Sequence, residues 1–335
     1  MGRHLAVAGL CMAALSSAAC AQSQTKPAAL ADPGPIAVFG NITTFEIAPV
    51  LLAAEAYYPG TASVKMGSVA NLVGEAGASG YSSEGLADVA TNAETQALRY
   101  SLRHPDMRIV MTVTEGLYRI VARRSSGIAS LADLKGKRIA TIPPTSSGFF
   151  TQKMLASVGL SSDDVTMVAM PLGDMPRALA ERRVDAVSIW EPEVERAAQA
   201  IGSDAIEFSG KGVYRELFNL NTMAASLADP VKRAKIVAFV RAIVDASAQV
   251  RADPARAQAL VAQHSKYSAD LVAQSWPHHA FIAGWTGDLL DVMVEEEQWL
   301  ARQDKRTART RADLAKLIDT SVLAEALALP PLPKR

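Results

Sequence analysis

The sequence predicts an α/β protein of two lobes, each a central sheet flanked by helices, and three observations carry that prediction. At 335 residues, 49% hydrophobic and 20% charged, the chain can bury a large core and is longer than one ordinary domain. Short β-prone runs alternate with helical ones in two successive series, the rhythm of α/β sheets. After a return strand expected over 218–225 the chain turns helical, and those helices are expected to cover the first lobe.

The first series sets a strand over 36–39 before a helix to Tyr57, a strand over 63–66 before a helix through Glu75, and a strand over 86–90 before a helix over 94–104. It closes on a strand over 108–113. The second series runs through 117–123, then 138–142 with a helix over 147–158, 165–170 with 175–183, and 185–189 with 192–201. Later helices are expected over 231–251, 255–264, 269–275, 289–302 and 311–318. The expected division gives 36–115 and 219–327 to lobe 1 and 116–218 to lobe 2, with 328–335 as a tail that is polar from Pro330 onward. No internal period suggests a repeat array.

The N-terminus reads as an export signal over 1–21. Arg3 and His4 precede an apolar stretch over 5–15, and Ser16, Ser17, Ala18 and Ala19 follow it. That stretch falls short of the roughly 20 apolar residues a membrane span needs. Two cleavage readings stay open. Ser17-Ala18-Ala19-Cys20 resembles a bacterial lipobox, departing at Ser17 where that motif usually has Leu, and would put lipid on Cys20. Ala19-Cys20-Ala21 fits an A-x-A site, with cleavage before Gln22. Residues 22–35 are rich in Ala, Pro, Gln and Ser and suit a flexible tether. Cys11 and Cys20 are the only cysteines, so the mature domain has no disulfide, Cys-ligated metal or thiol nucleophile.

Lys plus Arg and Asp plus Glu each total 34, which removes the electrostatic footprint of a nucleic-acid binder. The basic stretch over 302–311 is short and contains Asp304. His278-His279 lacks matching ligands at metal spacing, and Glu295-Glu296-Glu297 reads as a solvated helical face. No metal and no cofactor are expected.

Ser130-Leu131-Ala132-Asp133-Leu134-Lys135-Gly136 is informative about fold. Ser130 and Asp133 form a capping box, Leu131 and Leu134 face the core, and Gly136 permits the turn into the next strand. In open α/β sheets ligands bind beyond the carboxyl ends of strands, which selects the loops over 40–44, 91–94, 143–148, 172–174 and 190–192.

The run from Ile128 to Ala140, then Thr145-Ser146-Ser147-Gly148 opening a helix, then Arg182 through Trp190-Glu191-Pro192, resembles the substrate-binding proteins of nitrate, sulfonate, taurine and bicarbonate ABC importers, with thiamine-pyrimidine relatives. The resemblance covers roughly residues 36–327 and is strongest over 127–197. It implies a periplasmic-binding-protein-like fold that closes as a flytrap on a type II hinge, here near 112–117 and 218–222. It also implies a monomer in the periplasm that hands a small-molecule solute to a permease and ATPase complex, without catalysis; any contact with the membrane would be through lipid on Cys20, if the lipobox reading holds.

Within the selected loops, Thr145, Ser146, Ser147 and Gly148 bring hydroxyls and free amides to the positive end of a helix, suiting a small anion; ordinary capping by Ser146 or Ser147 explains the same residues. One of Phe149 and Phe150 at least belongs to the core. Trp190 is a candidate flat wall of the cleft or a core residue. Glu191 reads more simply as a helix-dipole partner. Asn41, Thr43 and Thr44 resemble the family's first binding loop, and Asn92 and Glu94 its second, although turn chemistry accounts for them too. Asn219 and Asn221 near the second hinge are weaker candidates. These loops hold no Arg or Lys, so an anion would rely on amides, hydroxyls and Arg177; a neutral solute fits as well.

Two other classes are weighed. Enzymes of pyrimidine-precursor and sulfinate chemistry share the fold implied by the resemblance, but rely on a Cys nucleophile or a cysteine-rich motif that this chain lacks beyond Cys20. A periplasmic sensory binding protein would use the same closure and would need a signalling partner.

Overall fold

The alternation read from sequence becomes two sheets in a computed structural model that describes residues 1–2, 32–76 and 83–335. The expected export signal, Cys20 and most of the tether lie outside the described residues. In chain order the elements are β1 (Ile36–Gly40), α1 (Ala48–Ala56), β2 (Ala62–Met66), β3 (Val89–Ala93), α2 (Glu94–Tyr100), β4 (Met107–Gly116), β5 (Arg119–Arg123) and β6 (Arg138–Thr141). There follow α3 (Ser146–Ala156), β7 (Thr166–Ala169), α4 (Met175–Ala180), β8 (Ala186–Ile189), α5 (Glu193–Ile201), β9 (Ala205–Ser209) and β10 (Glu216–Met223). The helical remainder holds α6 (Ala224–Ala228), α7 (Pro230–Ala252), α8 (Ala255–Ser265), α9 (Ala269–Ser275), β11 (His279–Ala280), α10 (Leu289–Gln303), α11 (Arg311–Ala315) and α12 (Ser321–Ala328).

Lobe 1 is a six-stranded sheet ordered β11-β4-β10-β3-β1-β2, and lobe 2 a five-stranded sheet ordered β7-β6-β8-β5-β9. β1 pairs in parallel with β2 and β3, and β6 with β7 and β8. β10 and β5 run antiparallel to their neighbours. The carboxyl ends of the parallel strands therefore carry the loops of each lobe.

The chain crosses between lobes twice. β4 and β10 pair from Met223↔Met107 to Glu216↔Gly116, and the Leu117 amide donates to His278 O at 2.8 Å. Backbone pairing thus fixes 112–116 and 218–222, the segments expected to be the hinge. The crossings are Leu117–Tyr118 and 210–215, and the first sheet claims Glu216, Leu217 and Phe218 as well.

Local chemistry explains several element ends. Ser130 and Asp133 make the expected capping box and Leu134 is buried. Gly136 has φ +75, which a glycine adopts without strain. Pro230 opens α7, and the Asp229 carboxylate accepts from the Val231 and Lys232 amides. That helix buries Ile236 through Ile243, Ala246 and Val250 against α1 and the sheet. A second apolar cluster runs from Phe39 and Leu98 in lobe 1 through Phe150 and Met154 to Trp299, joining the lobes, and a third fills the far face of lobe 2.

Several expectations change. The helix expected through Glu75 is a single 3-10 turn, Val69–Leu72, capped by Ser68. The third strand starts later than expected, so Thr91 and Asn92 belong to β3 rather than to a loop. The glutamate run is not a solvated face: Glu296 and Glu297 are 0% exposed, and only Glu295 is at the surface, paired with Lys153. Arg306 and Arg309 from the basic stretch clamp Glu297. The final residues are pinned down, with Leu332 buried, its amide on the Asp245 carboxylate at 2.8 Å, and the Arg335 amide on Ala56 O at 2.8 Å.

Candidate ligand-binding site

The loops at the carboxyl ends of the two sheets face one another across a cavity of about 300 Å³, at the small end of the roughly 300–1,000 Å³ common for small-molecule sites. Lobe 1 contributes Asn41, Thr43, Thr44 and Glu46 after β1, Met66 at the end of β2 with Gly67 and Ser68 after it, Asn92, Ala93, Gln96 and Tyr100 from β3 and α2, and Glu216 and Phe218 from β10. Lobe 2 contributes Ile142, Thr145, Ser146, Leu172 and Trp190. The lobes also touch beside it: Gln96 Nε2 donates to Pro144 O at 3.4 Å, Tyr267 Oη to Glu193 at 2.9 Å, and Lys153 Nζ to Glu295 at 2.7 Å. A second hollow behind the crossings, about 380 Å³, is walled partly by ion-paired Lys153, Arg215, Asp288 and Glu295.

Of the residues singled out from sequence, Asn41, Thr43, Thr44, Asn92, Thr145, Ser146 and Trp190 line the cavity. Asn41 Oδ1 accepts from the Thr43 amide and hydroxyl at 3.1 and 2.7 Å, which folds the loop and leaves Nδ2 as a donor. Asn92 does the same, its Oδ1 taking the Ala93 amide at 2.9 Å. Thr145, rather than Ser146 or Ser147, caps α3, accepting from the Ser147 amide at 3.3 Å. Ser146 Oγ sits 3.0 Å from Tyr118 Oη, and the Trp190 ring lies 6.4 Å from that of Tyr118.

Four candidates face elsewhere. Ser147 is buried among Thr141, Thr145 and Ile142. Gly148 lets α3 start against the preceding loop: a Cβ there would lie 2.0 Å from Pro143 O. Glu94 is 0% exposed and accepts from Tyr214 Oη at 2.8 Å and the Leu217 amide at 3.0 Å; burial pushes its carboxyl up to about 7. Asn221 Nδ2 donates to Ala90 O and Asn219 O inside the sheet, and Asn219 accepts from Thr112. Phe149 and Phe150 are both core, packed on Tyr214 and Tyr118. Arg177 pairs with Asp174 at 3.2 Å on the surface and does not line the cavity. Glu191 caps no helix; it is buried against Arg119 at 2.9 Å.

Sequence reasoning missed the acids. Glu46 and Glu216 line the cavity although only 2% and 6% exposed, and each leaves its Oε2 without a hydrogen-bond partner. His279 Nε2 lies 3.6 Å from Glu46. Burial opposes ionisation of Glu46, but its pairing with His279 outweighs it and holds the carboxyl below its ordinary value. Burial likewise opposes protonation of His279, and Glu46 again prevails, raising the imidazole. Glu216 is pushed well above the carboxylate range by burial and then by the charges of Glu46 and Glu94. The only signal in the sequence was a Glu inside the apolar run Phe45-Glu46-Ile47-Ala48.

Two α/β lobes joined by paired crossings, with a cavity at the carboxyl ends of both sheets, are the architecture of the periplasmic binding proteins. The family described as "NMT1/THI5 like" matches residues 44–257, and the chain belongs to it. A Brucella abortus (strain 2308) protein provisionally named a binding protein is 35% identical over 74 residues, 22% of this chain and 23% of its own length. The match therefore spans about a quarter of that relative.

Solved structures extend the likeness in fold. The periplasmic aliphatic sulphonate binding protein SsuA from Escherichia coli has a TM-score of 0.66 at 16% identity, covering 85% of this chain and 92% of that one. The periplasmic nitrate-binding protein NrtA from Synechocystis PCC 6803 gives 0.64 at 14%, covering 88% and 89%. The desulfurization enzyme DszB gives 0.57 at 14%, covering 88% and 99%.

Proposed function

We propose that the protein captures a small solute between its lobes outside the cytoplasmic membrane and delivers it, unchanged, to the permease and ATPase of an ABC importer. The observation that carries this reading is the cavity itself. Its walls come from both lobes, and the connection between them is two short crossings, so a ligand touching both walls favours the closed arrangement over an open one. Asn41, Thr43, Thr44 and Asn92 on one wall, with Thr145, Ser146 and Trp190 on the other, are the residues that contact the solute. Binding proteins dominate the similar structures, and the chain has no cysteine after Cys20 to serve as a nucleophile.

Thermal denaturation against a broad set of small solutes tests this, together with mass spectrometry of whatever is released from the denatured protein. A true ligand at about 100 times its dissociation constant adds roughly 2.7 kcal/mol. Trp190→Ala should lose most of that gain while keeping the fold, because the ring is partly exposed at the cavity wall. A protein stabilised by no solute, from which nothing is released, would refute capture. Export, with or without lipid on Cys20, belongs to the same proposal. The mass of the mature N-terminus distinguishes cleavage before Cys20 from cleavage before Gln22.

A further inference from the structure

Given the capture reading, we infer that the cavity selects a small organic cation bearing N–H donors on a flat or compact apolar frame, and rejects anions of the sulfonate and nitrate kind. Position and partnership carry this. Glu46 and Glu216 are more than nine-tenths buried and line the cavity, and the Oε2 of each lacks a donor from the surrounding residues, Glu216 otherwise facing Tyr118 and Glu46 itself. Both lean over Gly116 at the mouth of the first crossing. A Cβ there would lie 3.1 Å from Glu216 Oε2 and 3.5 Å from Glu46 Oε1. A buried acceptor without a donor is costly, and a ligand N–H removes that cost. An anion would meet the opposite situation, because no Lys or Arg lines the cavity among the described residues. The buried Arg119 is already held by Glu191, Glu195 and Glu207.

The remaining wall agrees with this chemistry. Tyr100, Trp190 and Phe218 offer aromatic surface, which suits a flat apolar frame and attracts a cation over a ring face. The groups facing Glu216 are Glu46 ahead of α1, Tyr118 on the crossing and Glu94 on α2, with His279 on β11 and Tyr214 behind them. His279 offsets the charge of Glu46, while burial and the neighbouring acids favour the protonated form of Glu216. A cation seated against Glu216 takes the place of that proton, which passes to solvent.

The test is calorimetric titration of the whole mature protein with two sets matched in shape and differing in charge. These are benzamidinium, benzamide and benzenesulfonate, and propylammonium with propanesulfonate, each run at neutral pH in two buffers of different ionisation enthalpy. The expected result is that a cation binds about tenfold or more tighter than its matched sulfonate. Binding should release up to about one proton, and affinity should fall as pH is lowered. Glu216→Gln should abolish the release and weaken the cation. The comparison within the wild-type protein stands whether or not that variant folds. A sulfonate that binds tighter than its matched cation, or cation affinity unchanged in a folded Glu216→Gln protein, overturns the inference and leaves capture intact. If no member of either set binds at any charge, the inference fails; if the broad solute screen is also blank, capture fails with it.

Discussion

Replacing Glu297 by Gln should loosen the C-terminal arm from lobe 1. Its carboxylate is 0% exposed and accepts from Arg306 through two guanidinium nitrogens, from Arg309 Nη2 at 2.9 Å and from the Arg309 amide at 2.8 Å. Arg309 also donates to Ser101 Oγ and Leu98 O, each at 2.8 Å. One carboxylate thus ties α10, the segment after it and the end of α2 together. Burial works against its charge, yet the arginine hydrogen bonds prevail and hold it at about 2, against an ordinary 4.5. A shift of that size corresponds to about 3 kcal/mol.

The sign follows from the depressed value. The contribution is complete above the unfolded pKa near 4.5 and drains away as pH falls toward about 2. Gln cannot carry the charge, so Glu297→Gln should lose about 2–3 kcal/mol at pH 7. For a chain of this length that lowers the melting temperature by roughly 5 °C. Thermal melts of wild type and variant, at neutral pH and near pH 3, make the comparison. The gap between them should narrow at the lower pH. A neutral-pH loss under about 1 kcal/mol, or a gap that does not change with pH, would refute an ionised, buried and paired Glu297.

Two further outcomes can be checked by the same denaturation measurements. Gly148→Ala drives a methyl to 2.0 Å from Pro143 O, a backbone atom with nowhere to go; it should cost about 1–3 kcal/mol or more and move the Thr145–Ser146 end of α3, whereas a neutral substitution would mean that the loop yields freely. Arg119→Met strands Glu191, which is 2% exposed, and should cost about 3–5 kcal/mol, with much of it recovered in the Arg119→Met, Glu191→Met double variant.

Much of the fold was legible because α/β alternation writes itself into hydrophobic periodicity. What escaped was either short or set by register. β9 is half exposed along its length and β11 has two residues, so neither carries a buried apolar alternation long enough to read. The loops at strand ends were legible through a rule about parallel strands. Glu216 and Phe218 were not, because they enter on β10, which runs antiparallel to its neighbours and presents its amino end to the cleft. Composition alone reads Glu296 and Glu297 as solvent-facing. Their spacing from Met293 and Leu300, both buried, matches one helical face, and reading that stripe would have placed them inside. Ser147, Gly148 and Glu94 stand at the helix starts beside the cavity, but Ser147 and Gly148 serve the turn into α3 and Glu94 is spent on Tyr214 and the Leu217 amide.

The pinned final residues have a mechanical consequence. Tyr58 Oη holds Gly34 O at 2.9 Å, Lys235 Nζ holds Pro35 O at 3.1 Å, and Arg335 reaches Ala56 O and Gly60 O. The segment entering the fold and the segment leaving it are therefore moored to the same patch of lobe 1, while lobe 2 hangs from lobe 1 by its two crossings. On the capture reading proposed above, lobe 1 acts as stator and lobe 2 as rotor, so whatever grips the entering segment holds the stator still and leaves the rotor free to swing.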